Sequence, residues 1–288
     1  MGIIYGSLNV DEKYSKILEP NLYYDSVFVP GVTFTDEYEE GAAGAIYVHK
    51  LATSAAEPGT PGRDFTDEAS ADTLIPIVLN NNFQKSKKIY GVQAAAVAIS
   101  LANEQLSTVT QEIKEGWGQA GFACLVKEGT AATDTTAIAD GGAVAAFLDV
   151  RTQASESKIK PDTLLCSPKF FSQLLDEAGD KFTPVKNDKI AATGAIGTYY
   201  GVNVVEGNGL SAASAKYYDS TGTLRTVTLN DVDFILYNHR ALSIISNLEV
   251  FRLIDSENFN GSKAQGEMNT GYKVTNAAGV IVRKTAST

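Results

Sequence analysis

Histidine is nearly absent, with His49 and His239 the only two in 288 residues. His49 lies in a predicted strand and His239 stands just ahead of Arg240, without the neighbours that acid–base or metal chemistry requires. Each reads as a satisfied or exposed side chain. Cysteine is as scarce: Cys124 and Cys166 fall on a predicted helix and a predicted strand, with no metal-ligand partner at useful spacing. Both read as small buried hydrophobes, weakly suggesting a reducing compartment. There is no HExxH, no CxxC and no glycine-rich loop ending in GK[ST]. Gly207-Asn208-Gly209 lacks the third glycine and the helix start of a dinucleotide site, and reads as a turn. Gly261-Ser262-Lys263 is no nucleophile elbow, which needs a second glycine two places after the serine. Asp231 and Asp233 could share a cation, but alternating carboxylates at the start of a strand are usually a solvated edge. Asn260-Gly261-Ser262 matches a glycosylation acceptor that stays idle without a secretion signal. No catalytic, cofactor-binding or metal-ligating residue is assigned, no cofactor is expected, and the chain is not read as an enzyme.

Long apolar runs are missing too. No stretch approaches the roughly 20 apolar residues of a membrane span. The opening MGIIYGSLNVDEKYSK has no basic region and no apolar run of signal-peptide length, and Ser7 stands one place late for a lipidation signal. A chain kept in a cytoplasm, with no membrane partner, is expected. Basic charge is in deficit, 24 Lys and Arg against 34 Asp and Glu for a net charge of −10, which argues against a nucleic-acid grip. What remains is 44% hydrophobic and 20% charged, the balance of a folded protein with room for one large domain or two ordinary ones.

The most ordered pattern runs from Ser100 to Gly129. Ala102, Leu106, Val109, Ile113, Trp117, Ala120 and Cys124 recur at steps of three and four, on one face of a helix. Glu104, Gln111, Lys114 and Glu115 fall between them. Ser100 is the expected N-cap and Gly129 the left-handed residue that ends the helix. At 1.5 Å per residue it would be roughly 40 Å long. Gly116, Gly118 and Gly121 inside it cost about 1 kcal/mol each relative to alanine, and suggest a bend or a very close neighbour.

Around this helix the chain divides by composition. Residues 1–41 read as an arm, with a short helix near Asp11 to Leu18 and an extended YYDSVFVPGVTF broken at Pro30-Gly31. Its apolar residues need a partner on the body or on a neighbouring molecule. AIYVHK and TLIPIVL are strand candidates, the second at an edge because of Pro76. The Ala-, Gly- and Pro-rich sequence between them makes either the tip of a long hairpin or a floppy linker. Lys85, Lys87 and Lys88 form the densest basic cluster, either a solvated face or partners for an acidic neighbour.

Beyond Gly129 a linker ends at Asp140, a possible N-cap for a short helix over Ala143 to Arg151 with Val144, Phe147 and Leu148 on one side. Thr163 to Cys166 is a buried strand. Ser167-Pro168 caps and opens a helix whose apolar face is Phe171, Leu174, Leu175 and Ala178. A polar loop over 181–197 follows, then a strand pair or bent strand in TYYGVNVVEGNGLS and a turn at Asp219 to Thr223. VDFILYN, ALSIIS, LEVFRLID and GYKVTNAAGVIVRK are strands, the last a hairpin turning at Asn276 to Gly279.

In this order the parts resemble the major capsid proteins of tailed bacteriophages, whose Hong Kong 97-type fold is shared by encapsulins. FQKSKKIYGVQ with Leu101 to Glu128 resembles the entry to that family's spine helix, and KPDTLLCSPKFFSQLLD its axial strand and helix. GTYYGVNVVEGNGL resembles its recurring "G-x-x-x-G-x-x-V" strand, and ALSIISNLEVFRLIDSENFNGSKAQGEMNTGYKVTNAAGVIVRK its closing strands. The resemblance implies an α+β chain with an N-terminal arm over 1–41, an extended β-hairpin loop over 42–80 and a peripheral domain with the spine helix over 81–135. An axial α/β domain over 136–240 and C-terminal strands over 241–288, returning to the peripheral domain, complete it. It also implies a structural protein that self-assembles as hexamers and pentamers of an icosahedral shell around double-stranded DNA. Portal, a separate scaffolding protein and decoration proteins would be partners, with assembly in a host bacterial cytoplasm and residence in the virion. The absence of a long scaffolding region ahead of the arm implies a separate scaffold or a processed chain. Lys50 at the hairpin base, with no lysine near the tip, implies no covalent cross-link. The alternatives are a tail or adhesin module, or an encapsulin-like compartment.

Overall fold

Valine-, isoleucine- and phenylalanine-rich segments scattered along the chain meet in one mixed sheet. The computed structural model describes residues 27–35, 45–51, 72–91, 101–178, 183–184 and 197–286. The strands are β1 (Ala45–Leu51), β2 (Asp72–Val78), β3 (Asn81–Tyr90), β4 (Thr130–Ala131), β5 (Thr163–Cys166), β6 (Thr183–Pro184) and β7 (Gly197–Tyr199). They continue as β8 (Val202–Glu206), β9 (Ser214–Tyr218), β10 (Leu224–Thr228), β11 (Val232–Tyr237), β12 (Leu242–Asp255), β13 (Gly261–Val274) and β14 (Val280–Lys284). The helices are α1 (Leu101–Glu128), α2 (Ala143–Glu156) and α3 (Pro168–Ala178).

Seven strands form the large sheet in the order β4-β14-β11-β5-β8-β7-β6. Its central strands are buried on both faces, and their pleat sorts the side chains. Leu164, Cys166, Phe234, Leu236 and Ile281 join Phe147, Val150, Phe170 and Leu174 of α2 and α3 on one side. Leu165, Ile235, Tyr237, Val280 and Val282 meet Phe122, Ala123 and Leu125 of α1 on the other. A second sheet, β12-β13-β3, lies against the first half of α1, where Val109 and Ile113 pack on Ile89, Ala264 and Met268. Burying an Ile or Val side chain there is worth about 1.5–3 kcal/mol. The small hairpin β9–β10 is tied to β3 by Asn81, whose side chain donates to the Tyr218 carbonyl and accepts the Tyr218 N–H.

The predicted stripe is buried at Val109, Ile113, Ala120 and Cys124, but the polar side opposite it persists only in the first half of α1. From Gly118 to Val126 all but Gln119 are buried, because the helix runs between the two sheets there. Gly129 ends the helix without a left-handed backbone: a Cβ would come within 2.9 Å of Val280 and Val282, so glycine serves the close passage of β14. Asp140 does not cap α2. The Glu177 carboxylate of α3 accepts the Ala143 and Val144 N–H groups at 2.8 and 2.9 Å, bringing negative charge to the helix's positive end. The face of α2 is Ala143, Ala146, Phe147, Val150 and Ala154, with Leu148 exposed, and the helix runs on to Glu156. Ser167 caps α3 as expected, while Phe170 takes the buried place expected of Leu175 because its ring packs on Phe234.

The expected hairpin at Asn276 to Gly279 does not form. A single-turn helix there carries the chain from β13, in the smaller sheet, to β14, in the larger. ALSIIS and LEVFRLID are one strand, β12, with a register shift between Ser246 and Leu248. The strand pair in TYYGVNVVEGNGLS is β7–β8, turning through Tyr200 and Gly201 at positive φ. The expected helix near Asp11, the Ser100 cap and the hairpin tip lie outside the described residues.

Candidate functional site

Among the described residues no cluster of metal-ligating side chains stands out, and the candidate site is a surface. Strands β1 and β2 pair antiparallel from Ala45↔Val78 to Leu51↔Asp72. The alternation of a strand gives this ribbon two faces. Ile46, Val48 and Ile77 turn inward and pack on Leu79 and Ile245. The base of the ribbon presses on β13 at Gly271, where a Cβ would lie 2.8 Å from the Val78 carbonyl oxygen. The other face carries Tyr47, Leu51 and Leu74, which are 60%, 62% and 53% exposed. Pro76 stands opposite Tyr47 on this face, which also carries the His49–Asp72 pair between the apolar side chains. Large apolar side chains gathered on one projecting face mark a contact surface.

The N-terminal segment supplies the second feature. Its described part, 27–35, packs on the body of the same molecule. Phe28 lies 5.0 Å from the Phe122 ring and 5.9 Å from Trp117, and Phe34 lies 6.1 Å from Trp117. The Tyr237 hydroxyl donates to the Thr33 carbonyl at 2.8 Å, and the Thr163 hydroxyl to that of Val32. Thr35 forms a bridge with Ser243 of β12. One helix glycine finds its reason here: a Cβ on Gly121 would stand 2.8 Å from the Phe28 ring, whereas one on Gly116 would meet Phe83 only at an ordinary 3.5 Å. Close aromatic rings, rather than a neighbouring backbone, occupy the space. Gly207 and Gly209, read as a turn, give the same room to the Phe122 ring.

The charged residues singled out by sequence are mostly paired internally. Lys87 and Lys85 of β3 reach Glu112 on α1 at 2.6 and 3.3 Å. Burial raises the Glu112 carboxyl, but its two lysines outweigh that and hold it below the ordinary value. Asp231 and Asp233 are no open cation site: Asp231 faces Lys284 at 3.5 Å, and Asp233 holds Arg283 at 2.6 Å. Burial pushes Asp233 up, against the pull of Thr285 and Arg283. Sequence reading missed Arg283, which is 1% exposed and also reaches Asp134 and the Thr136 carbonyl. The signal was an arginine inside the buried run VIVRK, which needs a carboxylate opposite. His49 pairs with Asp72 and His239 with Asp162. Cys124 and Cys166 are free and buried, and burial raises both thiols. Gly261, in the glycosylation-like triplet, stands at φ +151°.

No protein-family model matches this sequence, and no curated protein is similar to it by sequence. Solved structures are similar in fold over nearly the whole chain. The capsid structure of the cyanophage P-SCSP1u superposes with a TM-score of 0.70 at 13% identity, covering 98% of this chain and 94% of that one. A structure from Mycobacterium phage Che8 gives 0.68 at 16% identity, covering 94% and 96%. The capsid of Ralstonia phage GP4 gives 0.67 at 11% identity, covering 100% and 98%. The chain therefore has the mixed helix-and-sheet fold found in these phage capsid structures.

Proposed function

We propose that this chain is the major capsid protein of a tailed bacteriophage, a structural, non-enzymatic subunit. The observation that carries the reading is the likeness of fold, end to end, to capsid structures of several phages. The exposed strip of Tyr47, Leu51 and Leu74 supports it, since a shell subunit must cover such a surface with its neighbours. In this reading the fold is of the Hong Kong 97 type, with 1–41 as arm, 42–80 as extended loop, 81–135 as peripheral domain, 136–240 as axial domain and 241–288 as closing strands. Copies form hexamers and pentamers of an icosahedral shell around double-stranded DNA. Portal, scaffolding and decoration proteins are the further partners, the host cytoplasm is the place of assembly and the virion the final location. The net charge of −10 keeps the subunit from gripping the packaged genome.

Electron microscopy of the purified protein tests this directly. Shells or capsomer rings are expected, and deletion of Ala55 to Ala71 should leave a folded subunit that makes no stable shells. Normal shells from the deletion would remove the hairpin from the account. Discrete small particles from the intact chain would point to a tail or adhesin protein, and shells filled with protein cargo to an encapsulin-like compartment.

A further inference from the structure

One member of the lysine cluster remains unexplained. Lys85 and Lys87 turn toward α1 and share Glu112, and strand alternation sends Lys88 to the opposite face of β3. There it stands directly across from Lys263 of β13. Like charges facing each other destabilise a sheet. Within the subunit the offset is the ring of Phe259, whose centroid lies 5.8 Å from the Lys88 Nζ and 5.9 Å from the Lys263 Nζ. Among the described residues no carboxylate forms an ion pair with either lysine. Arg252 adds a third cation along the same face, where Glu267 feels its charge while accepting from Asn82 and Gln84.

The tip that carries this pair is built rather than loose. Gly91 N–H donates to the Asn260 carbonyl at 2.9 Å, Ser256 N–H to that of Gly261 at 2.9 Å, and the Tyr90 ring lies 5.1 Å from Phe259. Two lysines are thus held together, on a rigid support, in a molecule with 34 acidic and 24 basic residues. We infer that Lys88 and Lys263, framed by Phe259, are a cationic contact for a carboxylate-rich surface of a second copy of this chain. The inference rests on the reading that copies assemble. Charge complementarity names the partner: an acidic subunit's most abundant anion is a carboxylate of another subunit. Arranged so, the contact contributes register and specificity more than raw affinity.

The test compares Lys88→Glu/Lys263→Glu and Lys88→Met/Lys263→Met with the parent chain, by circular dichroism, sedimentation and electron microscopy. The Met pair keeps the apolar stems over Phe259 and stays folded. The Glu pair should give folded subunits that lose self-association, and the Met pair a weakened association. Raising salt to about 1 M, where the screening length is about 3 Å, should weaken the parent's association and leave the Met pair's nearly unchanged. Parent-like association of the Met pair at every salt concentration would overturn the inference. Variant shells of normal yield that no longer retain DNA would assign the lysines to phosphate and overturn it too. Parent oligomers that are not shells, yet vanish with the Glu pair, would leave this contact standing and sink the capsid reading. A parent that does not associate at all would sink both.

Discussion

Gly121 and Gly116 sit five residues apart on the same helix, yet they answer to different neighbours. The Phe28 ring is wedged between Trp117 and Phe122, so it has no room to retreat from a methyl group at Gly121. Gly121→Ala should cost about 1–3 kcal/mol in urea unfolding, as overpacking does. Gly116→Ala puts its methyl at ordinary contact distance from Phe83 and should gain up to about 1 kcal/mol of helix propensity. Asp219 gives a pH-dependent case. The Thr221 hydroxyl, in spite of burial, and then the Thr223 N–H and Arg225 hold its carboxyl far below the ordinary 3.8. Its folded value lies below its unfolded one, so its stabilisation is complete above the ordinary value and fades as pH falls toward the folded value. Asp219→Asn should therefore show a deficit in melting temperature near pH 7 that shrinks below about pH 4. The glycines were visible in the sequence as oddities, but their neighbours were not, because Phe28 and Gly121 are brought together only by the tertiary fold.

Elements were legible where one surface decided them. The strand Thr163 to Cys166, the Ser167 cap and the separate strands β1 and β2 followed from local patterns alone, whereas the pairing of the last two did not. The second half of α1 did not, because a helix buried between two sheets loses the polar side that periodicity detects. The hairpin at Asn276 to Gly279 failed for a related reason: its turn residues are present, yet the strands on either side serve different sheets. Two expected outcomes belong to this scale. Gly271→Ala should push the base of the β1–β2 ribbon off β13, since a Cβ there meets the Val78 carbonyl. Amide exchange in β1 and β2 should then quicken while that of the large sheet stays slow. Arg283 joins β14, β11 and the linker through Asp233, Asp134 and the Thr136 carbonyl. Arg283→Ala removes charged hydrogen bonds to the half-buried Asp233 and should cost about 1.5–3 kcal/mol in denaturant unfolding.

At the scale of the whole molecule, the order of its parts indicated the fold. The contact surface was less legible: the apolar residues Tyr47, Leu51 and Leu74 read as strand positions, and only the packing of Ile46, Val48 and Ile77 shows which face is left uncovered. The net charge of −10 and a sequence pI near 4.8 predict a solubility minimum near that pH, measurable by light scattering as repulsion between copies vanishes. The place of β14 has a further consequence. It is the last of the described strands, yet it lies between β4 and β11 and covers one face of the core under α1. A chain cut short before Val280 would leave β4 without its sheet partner and the apolar core beneath α1 open on that side.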